Sequence, residues 1–107
     1  MSKDITGLLG LAMSAGRVVS GTEATIEAVR SGKARLVILA QDSGLNLRKQ
    51  VTDKCRSYDV DCVEGPEGDV LGASVGKDRR MCVAITEENL ANELKELLMA
   101  RFGGGNA

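Results

Sequence analysis

The chain has 107 residues, of which 43% are hydrophobic, 27% charged and 2% aromatic, and its formal net charge is −1. This is the composition of one globular domain with a single core, and the absence of a long apolar run excludes a membrane span or a secretory leader as its reading. Tyr58 and Phe102 are the only rings, which argues against a base-stacking surface.

The first predicted element is a helix over Ile5–Ala15, with an apolar stripe at Ile5, Leu8, Leu9, Leu11, Ala12 and Ala15. Gly7 and Gly10 lower its intrinsic helicity but permit close packing, and Gly16 stops it. A short strand follows over Arg17–Ser20. Gly21 makes a turn, and a second helix spans about Thr22–Ser31, capped by Thr22 or, one residue earlier, by Gly21. Ala24, Ile26, Ala28 and Val29 form its buried side, and Gly32 ends it. Leu36–Ala40 is an unbroken apolar run, as in a strand covered on both faces. After a loop over Gln41–Leu47, Asn46 caps a third helix near Leu47–Ser57, with Val51 and Cys55 on its inner stripe. Val60–Glu64 is a third strand and Gly65-Pro66-Glu67-Gly68 a turn. A short helix over Asp69–Val75 stops at Gly76, and Met81–Ile85 is the fourth strand. The last helix begins at Thr86, which caps it, with two acids at its positive end and Leu90, Leu94, Leu97, Leu98 and Met99 along it. Residues 1–102 form one domain, and the glycine-rich residues 103–107 read as a flexible tail. The alternation of helices and strands predicts an α/β sandwich with helices on both faces of a small sheet of about four strands.

Charge is distributed unevenly. Residues 15–56 carry a net +4 and residues 57–107 a net −5, so one half can face phosphates while the other stays acidic. Cys55, Cys62 and Cys82 share no metal-ligand spacing and the chain has no His, so no metal site is expected and the thiols read as reduced and mostly buried in a cytoplasmic protein. Arginines surround Thr52-Asp53-Lys54, but there is no His, no paired general acid and base and no nucleophile elbow, so an enzyme is not expected.

The strand–Gly21–helix junction is the most informative feature. A helix N-terminus presents free N–H groups and a positive dipole end, a ready site for an anion. Arg17, Arg30, Lys33 and Arg35 lie on the adjoining segments, where they read as phosphate contacts or as a solvated surface. Gly21 reads as a backbone position that allows close ligand approach or as an ordinary turn. Glu23 either accepts from a base amino group or complements the helix dipole. Glu27 reads as a surface acid in range of Arg30 at i+3. Lys77, Arg79 and Arg80 form a basic cluster that either extends a nucleic-acid footprint or protects a strand edge.

Leu8-Leu9-Gly10-Leu11-Ala12, the run Gly16–Gly21, the run Gly32–Asp42, Thr52-Asp53-Lys54-Cys55 and Leu71–Lys77 resemble, in joint order and spacing, a bacterial YlxQ-type member of a ribosomal protein family. The large-subunit relatives of that family, proteins seven-Ae and thirty-e, bind kink-turn RNA. The resemblance runs from about Leu8 to Leu98. It implies a three-layer α-β-α sandwich with a small mixed sheet and structured RNA on one edge. It also implies association with the ribosome or with translation, as a cytoplasmic monomer without cofactor. Carried over by position, it assigns RNA contact to Gly21, Thr22, Glu23 and Ala24 with Ser20 before them, to Glu27 one turn on, and to the loop Val63–Gly68, with Glu64, Gly65 and Pro66, that covers an extruded base and leads to Leu71 and Gly72. Arg17, Arg30 and Lys33 complete the expected RNA-binding set. The chain departs from the family's strongest RNA readers, which have Asn then Glu after the Gly-x pair and a Lys on the next turn, where this sequence has Glu23, Ala24 and Glu27. Ionised Glu23 only accepts hydrogen bonds, Ala24 removes a carboxylate, and Glu27 replaces a cation by an anion. The alternative reading is a protein-interaction module on the same scaffold with weakened RNA affinity.

Overall fold

In the computed structural model, which describes residues 4–103, nine elements follow one another as α1 (Ile5–Ser14), β1 (Val18–Ser20), α2 (Thr22–Arg30), β2 (Leu36–Ala40), α3 (Leu45–Ser57), β3 (Cys62–Gly65), α4 (Gly68–Ser74), β4 (Cys82–Ile85) and α5 (Glu88–Phe102). The strands form one mixed sheet in the order β1-β4-β2-β3, with β2 and β3 parallel and β4 antiparallel to both β1 and β2. Helices cover both faces.

The central strand β2 shows why. All five of its residues are buried, because alternate side chains enter different cores. Leu36, Ile38 and Ala40 join α1, α4 and α5 through Leu9, Leu71, Val75, Leu94 and Leu98. Val37 and Leu39 face α2 and α3 and pack with Val29, Val51, Cys55, Cys82 and Ala84. The α-β-α sandwich and the four-stranded mixed sheet match the expected architecture.

Several local expectations are corrected. Asn46 does not cap α3: the helix starts at Leu45, Gly44 is its cap residue, and Asn46 lies exposed in the first turn. Glu87, not Thr86, caps α5, its carboxylate accepting from the N–H groups of Asn89 (3.0 Å) and Leu90 (2.8 Å). Those two bonds hold the Glu87 carboxyl below the usual carboxylate range. Leu11 stands 66% exposed on α1 rather than in the stripe, and Ala15, Ala24 and Met99 are also exposed. On α1 the buried arc of Ile5, Leu9 and Ala12 is narrow, and Leu11 points away from it. The third strand begins at Cys62 and reaches Gly65, a residue beyond its expected end. Gly103 terminates α5 with φ 75°, and residues 104–107 of the expected tail lie outside the described residues.

Candidate nucleic-acid interface

Strands β1, β2 and β3 run the same way and β4 runs against them. The carboxyl ends of three strands and the amino end of β4 therefore share one end of the sheet. In open α/β sheets this is the end where ligands bind. The loops there are stitched together by the backbone: Gly21 N–H donates to Cys82 O (2.9 Å), Ala40 N–H to Met81 O (2.7 Å) and Gln41 N–H to Pro66 O (3.3 Å).

Two helices of nine and thirteen residues, α2 and α3, start at this end. Glycines 21 and 44 are their cap residues, so no cap side chain takes up the first N–H groups of either helix. Gly21 has φ 97° and ψ 158°, a conformation that glycine alone adopts without strain. Nothing lies within 4 Å of the place a Cβ would occupy there, so the glycine is required by the turn and not by packing, and space beside its backbone is open. Leu45, the first residue of α3, is 85% exposed at the same end.

The loops between β3 and α4 and between α4 and β4 are built differently, by close approach. A Cβ on Gly65 would lie 2.4 Å from Ile38 Cγ2, and one on Gly68 would lie 2.1 Å from Met81 Cε. A Cβ on Gly72 would lie 1.7 Å from Asp78 O, so residues 76–81 fold directly onto α4. Asp42, at the end of β2, locks these pieces. Its Oδ1 accepts from Gly68 N–H (2.8 Å) and its Oδ2 from Arg79 Nη2 (3.1 Å), while Arg79 Nη1 lies 3.8 Å from Asp69. Beside them Arg48 on α3 donates with Nη1 and Nη2 to the Glu64 carboxylate and with Nη2 to Ala40 O (3.1 Å). Lys77 and Arg80 make no ion pair among the described residues.

The structure divides the expected RNA-binding set. Ser20, Gly21, Thr22, Glu23 and Ala24 sit together at the strand-terminal end, where Pro66 accepts from the loop after β2. Glu27 is exposed one turn along α2, 4.0 Å from Arg30. Glu64 does not stand free as part of a base-covering loop, because Arg48 holds it. Leu71 is fully buried in the core, and Gly65 and Gly72 are buried against neighbouring chain, so none of the three offers a side-chain surface. Arg17, Arg30 and Lys33 lie at the opposite end of the sheet. The carbonyl of Arg17 accepts from Thr86 N–H (2.9 Å), just beyond the carboxyl end of β4, and Arg30 and Lys33 follow the C-terminal turn of α2. Arg35 is there too, 3.8 Å from Glu88. Sequence proximity alone groups these cations with Gly21; the direction of β1 and the length of α2 separate them. Asp42 and Leu45 are the residues of this end that pattern reasoning did not single out. The available signal was a carboxylate two residues beyond a buried strand, in the short loop over residues 41–44 that leads to α3.

The three thiols are free and meet in the core between the sheet and α2 and α3, Cys62 and Cys82 from the strands and Cys55 from α3. Burial pushes the Cys82 thiol up, and the hydroxyls of Thr25 and Thr22 face its sulfur beneath the start of α2. The Cys62 thiol is also pushed up, by its contact with Cys55 and by burial. Both shifts disfavour the reactive thiolate. Among the described residues no group of His, Cys, Asp or Glu is placed to hold a metal ion, and no helix is long and apolar enough to cross a membrane.

Residues 3–95 match the model of the family described as ribosomal protein L7Ae/L30e/S12e/Gadd45. Two relatives named RNA-binding protein YlxQ are similar to this chain: the Bacillus subtilis (strain 168) protein is 45% identical over 85% of this chain and 91% of its own length, and the Enterococcus faecium protein 37% identical over 85% and 87%. Among solved structures, a Bacillus halodurans protein of unknown function superposes with a TM-score of 0.85 at 31% identity, covering 91% of this chain and 98% of its own. The Giardia lamblia 15.5kD RNA binding protein superposes with a TM-score of 0.77 at 19% identity, covering 94% and 92%, and shares the fold.

Proposed function

The chain belongs to the ribosomal protein L7Ae/L30e/S12e/Gadd45 family, and from that premise we propose that it binds structured RNA at the strand-terminal end of its sheet. The observation that carries this reading is the open start of α2: a glycine at φ 97°, unobstructed space beside it and helix N–H groups without a side-chain cap. Sugar–phosphate backbone fits such a surface, because helix N-termini attract anions and a glycine lets two backbones approach. The exposed start of α3 and Arg80, whose backbone N–H meets Gly68 O at the start of α4, extend the surface on its other side. Recognition is then by shape and by an unpaired base set against the loops, with phosphate contacts supplying salt-dependent affinity.

The finer proposal is a kink-turn or a related bend in ribosome- or translation-associated RNA. The 45% identity to a relative named as RNA-binding supports the RNA class. Glu23, Ala24 and Glu27 place two carboxylates and a methyl group on the face of α2 nearest its start. Affinity for a kink-turn is accordingly lower than that of a protein with a cation on this turn.

The test is a titration of a labelled kink-turn RNA at low and moderate salt, with a straight duplex of equal length as control. Kink-dependent binding that weakens with salt supports the reading. Equal or absent binding of the two RNAs contradicts it and favours a protein partner for the same scaffold.

A further inference from the structure

Asp42 has a chemical role that the RNA-binding reading leaves unused. Its carboxylate joins three separate loops: its own after β2, the start of α4 through Gly68 N–H (2.8 Å), and the loop between α4 and β4 through Arg79 (3.1 Å). Gly68 is held from its other side as well, since its carbonyl accepts from Arg80 N–H (3.1 Å). Arg79 meets a second carboxylate, Asp69, at 3.8 Å. The basic cluster Lys77-Arg79-Arg80 therefore does not present three equivalent cations. Arg79 lies along the surface, about half exposed, paired with two acids, while Lys77 and Arg80 make no ion pair among the described residues.

We propose that Asp42 is a specificity-determining positioning residue: by holding Arg79 it ties down a cation at the RNA-facing end and fixes the loop that must fit a bent RNA. The inference rests on the RNA-binding reading above. A free arginine at this end would attract any phosphate, bent or straight, and raise indiscriminate affinity. Held by Asp42, the same arginine shapes the loop and leaves shape to decide. Asp42 touches no RNA in this account; it acts through Arg79 and Gly68.

The sign of the effect separates this role from a merely structural one. Asp42→Asn keeps an oxygen that can accept from Gly68 N–H and removes the charge that holds Arg79. Straight-duplex affinity should rise about threefold or more at low salt. Its salt dependence should steepen by about 0.9 in the log–log slope, the signature of one added phosphate contact on a duplex. The preference for kinked over straight RNA should fall by about the same factor. Arg79→Met in the wild-type background should leave the salt slope unchanged, and in the Asp42→Asn background it should cancel the steepening. A loop that was simply loosened would lose affinity for both RNAs with no gain in slope.

The experiment is salt-dependent titration of the full chain and of these three variants against both RNAs, with urea midpoints to establish that each variant is folded. A steeper duplex slope in Asp42→Asn, removed by Arg79→Met, is the expected result. An unchanged duplex slope in folded Asp42→Asn overturns the inference, as does a slope about 0.9 shallower in Arg79→Met alone, which would make Arg79 a direct phosphate ligand. If Asp42→Asn does not fold, the Arg79→Met slope alone decides between the two. Failure of the wild-type chain to distinguish the two RNAs is a different outcome, and it removes the RNA reading itself along with this inference.

Discussion

Replacing Gly72 by alanine puts a methyl group where the chain leaves no room. The new Cβ would stand 1.7 Å from Asp78 O, 2.6 Å from Asp78 C and 3.0 Å from Arg80 N. All three atoms belong to backbone, so no side chain can rotate away, and the loop over 76–81 must lift off α4. Overpacking of this kind costs about 1–3 kcal/mol, and contact with backbone places Gly72→Ala at or beyond the upper end. Alanine recovers about 1 kcal/mol of helix propensity. A net loss of about 2 kcal/mol is expected, which lowers the melting temperature by about 8 °C in a domain of this size. Gly7→Ala is the matched control: it also lies in a helix, but its Cβ meets only the Asp4 side chain, Cβ at 3.8 Å and Oδ2 at 3.9 Å, both ordinary contacts. It should gain about 0.5–1 kcal/mol from the reduced entropy of the unfolded chain. Urea unfolding measures both changes, with the slope m unaltered. A Gly72→Ala midpoint at or above that of wild type would refute the packing argument.

Leu71→Ala should cost about 2–5 kcal/mol of stability, because the side chain is fully buried between α4 and the sheet; unchanged stability with lost RNA binding would return Leu71 to the interface. Glu27→Lys should raise RNA affinity about fivefold at low salt by exchanging an anion for a cation one turn from the start of α2, whereas Arg17→Glu, at the far end of the sheet, should change it little; fluorescence titration compares the two. Glu87 contributes pH-dependent stability. Its folded pKa is depressed by hydrogen bonds from Leu90 and Asn89 N–H, so the contribution is present above the unfolded carboxylate pKa and is lost as pH falls through the lowered folded value. Urea midpoints of wild type and Glu87→Gln should therefore differ at neutral pH and converge in acid.

The architecture was legible because the chain's periodicities are unambiguous. The unbroken apolar run Leu36–Ala40 could only be a strand covered on both faces, and glycines at 16, 32 and 76 end three helices at positive φ, as their placement after apolar stripes suggested. Cap positions were less legible. Asn46 and Thr86 have good capping chemistry, but the chain enters α3 early, at Gly44, and Glu87 reaches the N–H groups of α5 better than Thr86. In the candidate site, Gly21 was visible as a turn glycine before a helix. The grouping of Arg17, Arg30 and Lys33 with it was not recoverable from spacing, since which end of the sheet a cation occupies depends on strand direction. Nor did sequence separate the glycines of the loops around α4 into their two kinds. Gly65, Gly68 and Gly72 are fixed by what would collide with a side chain, and such contacts bring together residues far apart in the chain. The partnership of Asp42 with Gly68 and Arg79 spans 26 and 37 residues and has no local signature.

The most direct test is to follow the backbone amide resonances of the labelled protein while kink-turn RNA is added. The account predicts that the shifted amides cluster at Gly21–Ala24, at Gly44–Leu45, beside Pro66 and at Arg79–Arg80, all at the end of the sheet shared by the carboxyl ends of β1, β2 and β3 and the amino end of β4. Amides around Arg17, Arg30 and Lys33 should stay in place. Shifts confined to that opposite end, or spread evenly over both, would contradict the assignment of the RNA surface to the open start of α2.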